Sequence, residues 1–241
     1  MIDLDVRNSP DAVAQEAANR FVSVVGEAIG ERGVARVALS GGSTPKRVYP
    51  LLVEPRRRDA VDWSAVEFFW GDERAVPPDH PESNFGVAYG MLISQLPGVR
   101  ADRIHRMQAE ATDLDAAALV YETELRLAFG ARGDAPPPFD LVWLGMGPDG
   151  HTASLFPGTE ALGEAMRWAI GNWVPALDAW RMTLTYPVLN AARETMFVVT
   201  GGDKADALAR VRSGDSELPA ARITGGGVRW IVDAAAAAGV A

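Results

Sequence analysis

Asp149 and His151 lie two residues apart in a glycine-rich segment with the sequence GMGPDGHT, residues 145–152. The segment directly follows the apolar run at residues 139–144, which predicts a strand buried on both faces of a parallel sheet. A histidine titrates near neutral pH, and an adjacent carboxylate can orient its ring or stabilise its protonated form. These residue types predict acid–base chemistry at this turn. The alternative is a histidine held only by hydrogen bonds within the turn.

A second segment, SGGSTP at residues 40–45, has the composition of an anion-binding turn. Its small residues expose successive backbone amides, and the N-terminus of a helix predicted to begin at Thr44 and Pro45 would direct partial positive charge at a phosphate. Neither a GxxxxGK(S/T) loop nor a GxGxxG fingerprint is present, so nucleotide binding lacks its usual support. The alternative is a purely structural glycine turn. The candidate phosphate ligands are Ser40, Gly41, Gly42, Ser43 and Thr44.

Two further segments supply charged groups. GDER, residues 71–74, contains Asp72 and Arg74, and an arginine can hold a phosphate through two parallel hydrogen bonds. Lys204 follows the residues TGGD and is one of only two lysines among 23 basic residues, which suggests a site that needs a compact ammonium group. For Arg74, the alternative is an ion pair within residues 72–74. For Lys204, the alternative is a solvent-exposed side chain without a ligand.

The elements that must position these residues follow from the apolar pattern. Ser9 and Pro10 mark the start of a helix over residues 12–29. Strands are predicted at residues 34–39, 66–70, 139–144, 182–186, 195–200 and 228–232. Further helices are predicted at residues 84–96, with Asn84 as N-cap, at 113–129 and 203–211, and in the alanine-rich C-terminal segment. This alternation predicts an α/β fold with parallel strands and helices on both sheet faces, which would bring the four polar segments to one edge.

Composition narrows the functional classes. The 241 residues are 48% hydrophobic and 23% charged, which is typical of a soluble globular protein, and we expect one domain spanning residues 1–241. The absence of cysteine excludes disulfides, thiolate zinc sites and thiol nucleophiles, and no HExxH-like spacing suggests a metal. The net charge of −9 disfavours nucleic acid. Without a signal-like N-terminus or a long apolar run, we expect a cytoplasmic protein rather than a membrane or secreted one.

Taken together, the motifs resemble the 6-phosphogluconolactonase family. The matching segments, which follow the family order from Leu39 to Ala237, are LSGGSTPKRVY, WGDERAVPPDHPESNFG, FDLVWLGMGPDGHTASLFPGT, RMTLTYPVLNAARE, FVVTGGDKADAL, and LPAARI followed by VRWIVDAAAA. The resemblance implies a Rossmann-like three-layer α/β/α sandwich with a mainly parallel sheet. It also implies hydrolysis of 6-phosphoglucono-δ-lactone in the oxidative pentose phosphate pathway, without a cofactor. His151 would be the general base, while Arg74, Lys204 and the SGGST turn would hold the phosphate of the lactone.

Three other functions are compatible with parts of this pattern. A glucosamine-6-phosphate deaminase would share the fold, although such enzymes typically continue with GHIAFNEP where this chain has GHTASLFP. A non-catalytic sugar-phosphate sensor would bind without turnover, but no helix-turn-helix segment precedes the domain. A serine hydrolase would use Ser40, because Ala38, Ser40 and Gly42 imitate a nucleophile elbow. We expect a monomer or a weak homo-oligomer.

Overall fold

The computed structural model describes residues 3–240, and its apolar runs form two β-sheets. The strands are β1 (Leu4–Arg7), β2 (Ala35–Leu39), β3 (Val66–Trp70), β4 (Asp72–Arg74), β5 (Leu141–Leu144), β6 (Ala169–Val174), β7 (Ala179–Leu184), β8 (Thr195–Val199) and β9 (Val228–Asp233). The α-helices are α1 (Pro10–Arg32), α2 (Ser43–Leu52), α3 (Pro55–Arg58), α4 (Asn84–Met91), α5 (Leu114–Phe129), α6 (Tyr186–Ala191) and α7 (Ala205–Arg212).

The larger sheet contains six parallel strands in the order β1-β9-β8-β5-β2-β3. Every residue of β5 and of β8 is buried, as expected for central strands that are covered by helices on both faces. Large aromatic side chains fill the space around the sheet, and the rings of Phe197 and Trp230 stack with centroids 3.8 Å apart. The predicted three-layer α/β/α architecture with a mainly parallel sheet is confirmed.

The smaller sheet was not predicted from the sequence. Its three strands are antiparallel in the order β4-β7-β6. The prediction that residues 182–186 add a strand to the parallel sheet is therefore wrong, because β7 instead folds back on β6 through a turn at Pro175–Leu177. GDER is likewise more than the end of a strand, since Asp72–Arg74 pairs with β7. Strands β1 and β6 were not predicted. The residues of β1 do alternate between apolar and polar, but the strand is only four residues long, whereas β6 has no clear alternation.

The helix boundaries follow local hydrogen bonds. The predicted cap of α1 is confirmed, because the Ser9 hydroxyl oxygen accepts a hydrogen bond from the Ala12 amide at 3.2 Å. The cap of α4 is Ser83 rather than Asn84, and α4 ends at Met91 instead of near residue 96. Helix α5 begins after Asp113, as predicted. The alanine-rich C-terminal segment forms only a 3₁₀ turn at Ala236–Gly239, so its prediction as an α-helix is wrong.

None of the helices described in residues 3–240 is both long enough and apolar enough to cross a membrane.

The cap of α1 provides a test of the local structure. Ser9→Ala removes the side-chain acceptor for the Ala12 amide, and we expect it to lower the free energy of unfolding by about 1 kcal/mol. Urea denaturation followed by circular dichroism would measure the change. Ser216→Ala, at an exposed position in a turn, is the control and should leave the free energy of unfolding unchanged. Equal stability of the two variants would contradict a capping role for Ser9.

Candidate active site

The four polar segments meet at one edge of the larger sheet. Strands β8, β5, β2 and β3 are consecutive neighbours and run parallel, so the loops after their carboxyl ends share that edge, as the sequence predicted. They enclose a cavity of about 230 Å³. Of the ten predicted site residues, nine line this cavity; these are Ser40, Gly41, Gly42, Ser43, Thr44, Asp72, Arg74, His151 and Lys204.

The tenth predicted residue, Asp149, contacts His151 directly. The imidazole Nδ1 lies 2.6 Å from Asp149 Oδ1, and the same oxygen accepts the His151 backbone N–H at 3.2 Å. Phe156 stacks on the other side of the ring with centroids 4.0 Å apart. Because Asp149 occupies Nδ1, Nε2 is the ring nitrogen left for a ligand. The alternative interpretation was a histidine held only by hydrogen bonds within its own turn. It does not explain why the His151 ring also lines the cavity.

The charge state of Asp149 suits this contact. Partial burial opposes its ionisation, but the hydrogen bond and the positive charge offered by His151 outweigh that effect and lower the pKa of Asp149 below its ordinary value. Asp149 is consequently ionised at neutral pH. An ionised carboxylate hydrogen-bonded to Nδ1 fixes the orientation of the ring.

Gly147 makes room for the His151–Asp149 contact. A Cβ atom at position 147 would lie 2.1 Å from His151 Nδ1 and 2.6 Å from Asp149 Oδ1. The space left by the missing side chain of Gly147 is therefore filled by the side chains of His151 and Asp149. The Gly147 backbone N–H also donates to the His151 carbonyl at 2.9 Å, which closes the turn.

The SGGST turn combines an open backbone with a helix N-terminus. Gly42 adopts a φ of +100°, which favours glycine, and α2 begins directly after it at Ser43 rather than at Thr44 and Pro45. The first amides of a helix have no acceptor within the helix, and Ser43 and Thr44, the first two residues of α2, both line the cavity. The position of Ser40 is set by the Tyr49 hydroxyl, which donates to the Ser40 carbonyl at 2.5 Å.

Two buried carboxylates organise the neighbouring segment without pairing with Arg74. Asp72 accepts hydrogen bonds from Ser154 Oγ at 2.6 Å and Asn84 Nδ2 at 3.1 Å. Glu73 accepts the backbone N–H groups of Arg74, Asn84 and Phe85 at 2.7–2.8 Å. Burial raises the pKa of Glu73 even though these three N–H groups oppose the rise. Within the described residues, the ion pair considered for residues 72–74 does not form.

Asn84 connects Asp72 to the SGGST turn. Its side-chain oxygen lies so close to Gly41 that a Cβ atom there would come within 1.7 Å of it. The glycine at position 41 is therefore required by the packing of Asn84. Sequence reasoning assigned Asn84 only to a helix cap, because nothing in the spacing of residues 41, 72 and 84 indicates that they meet.

Three cationic side chains lie at or beside the cavity. Arg74 donates through Nη1 to the Glu82 carbonyl at 3.0 Å, and Lys204 Nζ lies 2.6 Å from Asp203 Oδ2. The Lys204 side chain is only 20% exposed, so it is not the freely solvated lysine of the alternative interpretation. Arg181 was missed by the sequence analysis, because it faces Arg74 only through the antiparallel register of β4 and β7. Partial burial and the charge of Arg74 lower the pKa of Arg181.

These donors suit an anionic ligand. The cavity offers two cationic side chains, hydroxyl groups and free amides of a helix N-terminus, all of which bind phosphate in proteins. Among residues 3–240, no group of three or more histidine, aspartate or glutamate side chains is arranged to hold a metal ion.

Comparison with known proteins agrees with this geometry. The family model described as glucosamine-6-phosphate isomerases/6-phosphogluconolactonase matches residues 8–231. The chain belongs to this family. A relative in the same family, 6-phosphogluconolactonase of Streptomyces coelicolor, is 37% identical over 97% of this chain and 93% of its own length. The 6-phosphogluconolactonase of Synechocystis is 40% identical over 86% of this chain and 84% of its own.

A solved structure in the family extends the similarity to three dimensions. The 6-phosphogluconolactonase from Trypanosoma cruzi superposes with a TM-score of 0.87 at 29% identity, covering 100% of this chain and 97% of the other. The match covers the whole of this chain, so it includes the smaller antiparallel sheet that the sequence did not predict.

The packing at Gly147 yields a direct test of the His151–Asp149 contact. Gly147→Ala should force the ring away from Asp149, because the new Cβ would overlap Nδ1. The proton shared by Nδ1 and Asp149 should give a downfield proton resonance in the unmodified chain and lose it in the variant. Gly145→Ala, in the same turn but with no atom within 4 Å of the added Cβ, is the matched control and should keep the resonance. Retention of the resonance in Gly147→Ala would show that the ring does not depend on this glycine.

Proposed function

We propose that this protein hydrolyses 6-phosphoglucono-δ-lactone to 6-phosphogluconate, a reaction of the oxidative pentose phosphate pathway. Family membership and the 6-phosphogluconolactonase relatives support this activity. The observation that carries the proposal is one cavity containing both an oriented histidine and a phosphate-binding set. This lactone carries its phosphate at a distance from the carbonyl carbon that reacts, so its hydrolysis needs both features. The phosphate-binding residues hold the substrate in place, and the histidine activates a water molecule at the carbonyl carbon.

The phosphate group is proposed to bind between the SGGST turn, Arg74 and Lys204. The turn supplies amide and hydroxyl donors, while Arg74 and Lys204 supply charge. Asp203 now accepts from Lys204, and a phosphate dianion would compete for the same ammonium group. Asp72, which also lines the cavity and is held by Ser154 and Asn84, is proposed to contact the substrate as well. Arg181 is proposed to add positive charge beside Arg74.

The chemical step is proposed to use His151 Nε2 as the general base. Nε2 takes a proton from a water molecule while the water oxygen attacks the lactone carbonyl carbon, which produces a tetrahedral oxyanion. Collapse of this species breaks the bond to the ring oxygen, and the imidazolium returns the proton to that oxygen. Asp149 stabilises the imidazolium through Nδ1. Backbone amides of the glycine turns are the candidate donors to the oxyanion.

The geometry of Ser40 does not favour a serine hydrolase. Its hydroxyl donates only a long hydrogen bond, 3.4 Å, to the Gly41 carbonyl, and no described residue acts as a base toward it. A δ-lactone is an activated ester, so a positioned base acting on water is sufficient and a covalent nucleophile is unnecessary. Ser40 is therefore assigned to substrate binding.

Three predictions from the sequence remain predictions. They are a single domain spanning residues 1–241, a cytoplasmic location, and a monomeric or weakly homo-oligomeric state.

The activity itself is tested with freshly generated lactone. Its disappearance, measured as proton release or through a coupled 6-phosphogluconate dehydrogenase, should be faster with the protein than in buffer alone. Ammonia release from glucosamine 6-phosphate would instead identify a deaminase. Tight binding of 6-phosphogluconate without turnover would identify a sensor.

Removal of the proposed base should affect turnover more than binding. His151→Ala is expected to lower kcat about 10²–10⁴-fold, because a positioned base typically contributes that much. The affinity for 6-phosphogluconate, measured by calorimetry, should change little, since the phosphate ligands remain. Ser40→Ala is the control for a nucleophilic serine and should retain turnover. Near-normal kcat in His151→Ala would remove this residue from the mechanism.

Loss of a phosphate ligand should show the opposite pattern. Arg74→Gln and Lys204→Gln are each expected to raise KM roughly 10- to 100-fold, since a charge-assisted hydrogen bond contributes about 1.5–3 kcal/mol. Arg181→Gln should have a smaller effect in the same direction, because the residue lies beside the cavity rather than in its wall. The comparison substrate is the unphosphorylated glucono-δ-lactone. An equal loss of activity toward both lactones would contradict the assignment of these residues to the phosphate.

A further inference from the structure

A second and larger cavity lies away from the proposed active site. Its volume is about 820 Å³, compared with about 230 Å³ at the carboxyl edge of the parallel sheet. It follows strand β6, which is the outer strand of the smaller sheet, and we refer to it as the β6 groove. It shares no lining residue with the proposed active site. Its lining residues include Asp115, Glu160, Glu164, Arg167, Asn172, Trp173 and Trp180.

Two tryptophan rings form one side of the β6 groove. Trp173 and Trp180 are paired across β6 and β7, and their ring centroids are 5.6 Å apart. They are 39% and 45% exposed, whereas the chain's other five tryptophans are almost fully buried in the core. Packing in the core therefore does not explain why residues 173 and 180 are large aromatic residues. Indole rings are the strongest aromatic partners for cations because of the negative potential over their faces.

The charged residues of the groove give it a net negative charge. Arg167 pairs with Glu164 at 2.7 Å and with Asp115 at 3.3 Å, while Glu160 forms no ion pair with any described residue. Three carboxylates and one guanidinium leave two negative charges. Although partial burial opposes its ionisation, backbone N–H groups of Arg167 and Met166 together with the Arg167 side chain lower the pKa of Glu164 to about 2. This carboxylate is thus ionised throughout the physiological range.

Asn172 offers the groove a hydrogen-bond acceptor. The residue is 2% exposed, and its Nδ2 donates to the Ser154 carbonyl at 2.8 Å and to Thr159 Oγ1 at 3.1 Å. Both donor positions are occupied, but Oδ1 accepts no hydrogen bond from any residue in the described range 3–240. Since Asn172 lines the groove, this oxygen is an acceptor that a ligand in the groove can use.

We propose that the β6 groove binds an organic cation with an alkylammonium or guanidinium group. The tryptophan pair receives the cationic group, and Glu160 and the Arg167-linked carboxylates supply the opposite charge. Asn172 precedes Trp173 on β6 and points to the other face of the strand, so its Oδ1 accepts a hydrogen bond from a different part of the ligand. A phosphate or carboxylate ligand would be repelled by the net charge of the groove. The ligand is thus opposite in sign to the phosphosugar proposed for the active site.

Agmatine, which carries a guanidinium and an ammonium group, is a suitable probe. Titration calorimetry with the full chain should give a Kd below about 1 mM, the affinity of a weak but specific small-molecule site. Trp173→Ala should weaken binding about 3- to 30-fold, in line with a partly desolvated cation–π contact. Glu160→Gln should weaken it as well, whereas Glu217→Gln, an exposed carboxylate outside both cavities, should leave it unchanged.

Neutral N-butylurea provides the control ligand, since it offers similar N–H donors without charge. The proposal predicts that it binds much more weakly than agmatine. Equal binding of the two ligands, unchanged agmatine affinity in Trp173→Ala, or an equal effect of Glu160→Gln and Glu217→Gln would each overturn the proposal. Circular dichroism of each variant establishes that the chain is folded, which is expected because Trp173 and Glu160 are exposed.

Discussion

Parallel alignment of β8, β5, β2 and β3 is the constraint on which the site depends. Parallel neighbours place their carboxyl ends on one edge, so loops that are far apart in the chain open into one cavity. The strands hold this alignment because nearly all of their side chains are buried, including every one in β5 and β8, and their polar backbone groups are paired. Loops can consequently carry glycines and charged residues without losing their position.

Charge is distributed unevenly over this fold. The whole chain carries a formal charge of −9, yet Arg74 and Lys204 line the proposed active site and Arg181 lies beside it. Buried Glu73 accepts hydrogen bonds from three backbone amides and the Ser83 hydroxyl, and it forms no ion pair with Arg74. The β6 groove has the opposite character, because its carboxylates outnumber its one guanidinium. The two cavities can therefore accept ligands of opposite charge on the same small protein.

Much of the site could be predicted, but its internal contacts could not. The motifs at the ends of β2, β5 and β8 are local in sequence, and nine of ten predicted residues line one cavity. The role of Arg181 depends on antiparallel pairing between residues 74 and 181, and the role of Asn84 depends on its contact with Gly41. Such contacts join segments without a shared pattern, so no spacing in the sequence reveals them. The antiparallel sheet escaped prediction for the same reason.

The sequence by itself determined five of the six parallel strands, the first helix cap and the chemical types at the carboxyl edge. Apolar periodicity and turn residues act over a few positions, so these features are local. Only the tertiary structure decided that Gly147 makes room for the His151–Asp149 contact and that two tryptophans remain outside the core. It also decided that Asp72 and Glu73 accept hydrogen bonds from other groups rather than from the Arg74 guanidinium. These outcomes follow from packing between segments that are distant in the chain. There, steric overlap and burial determine the free energy of folding more than the local conformational preferences of the residues do.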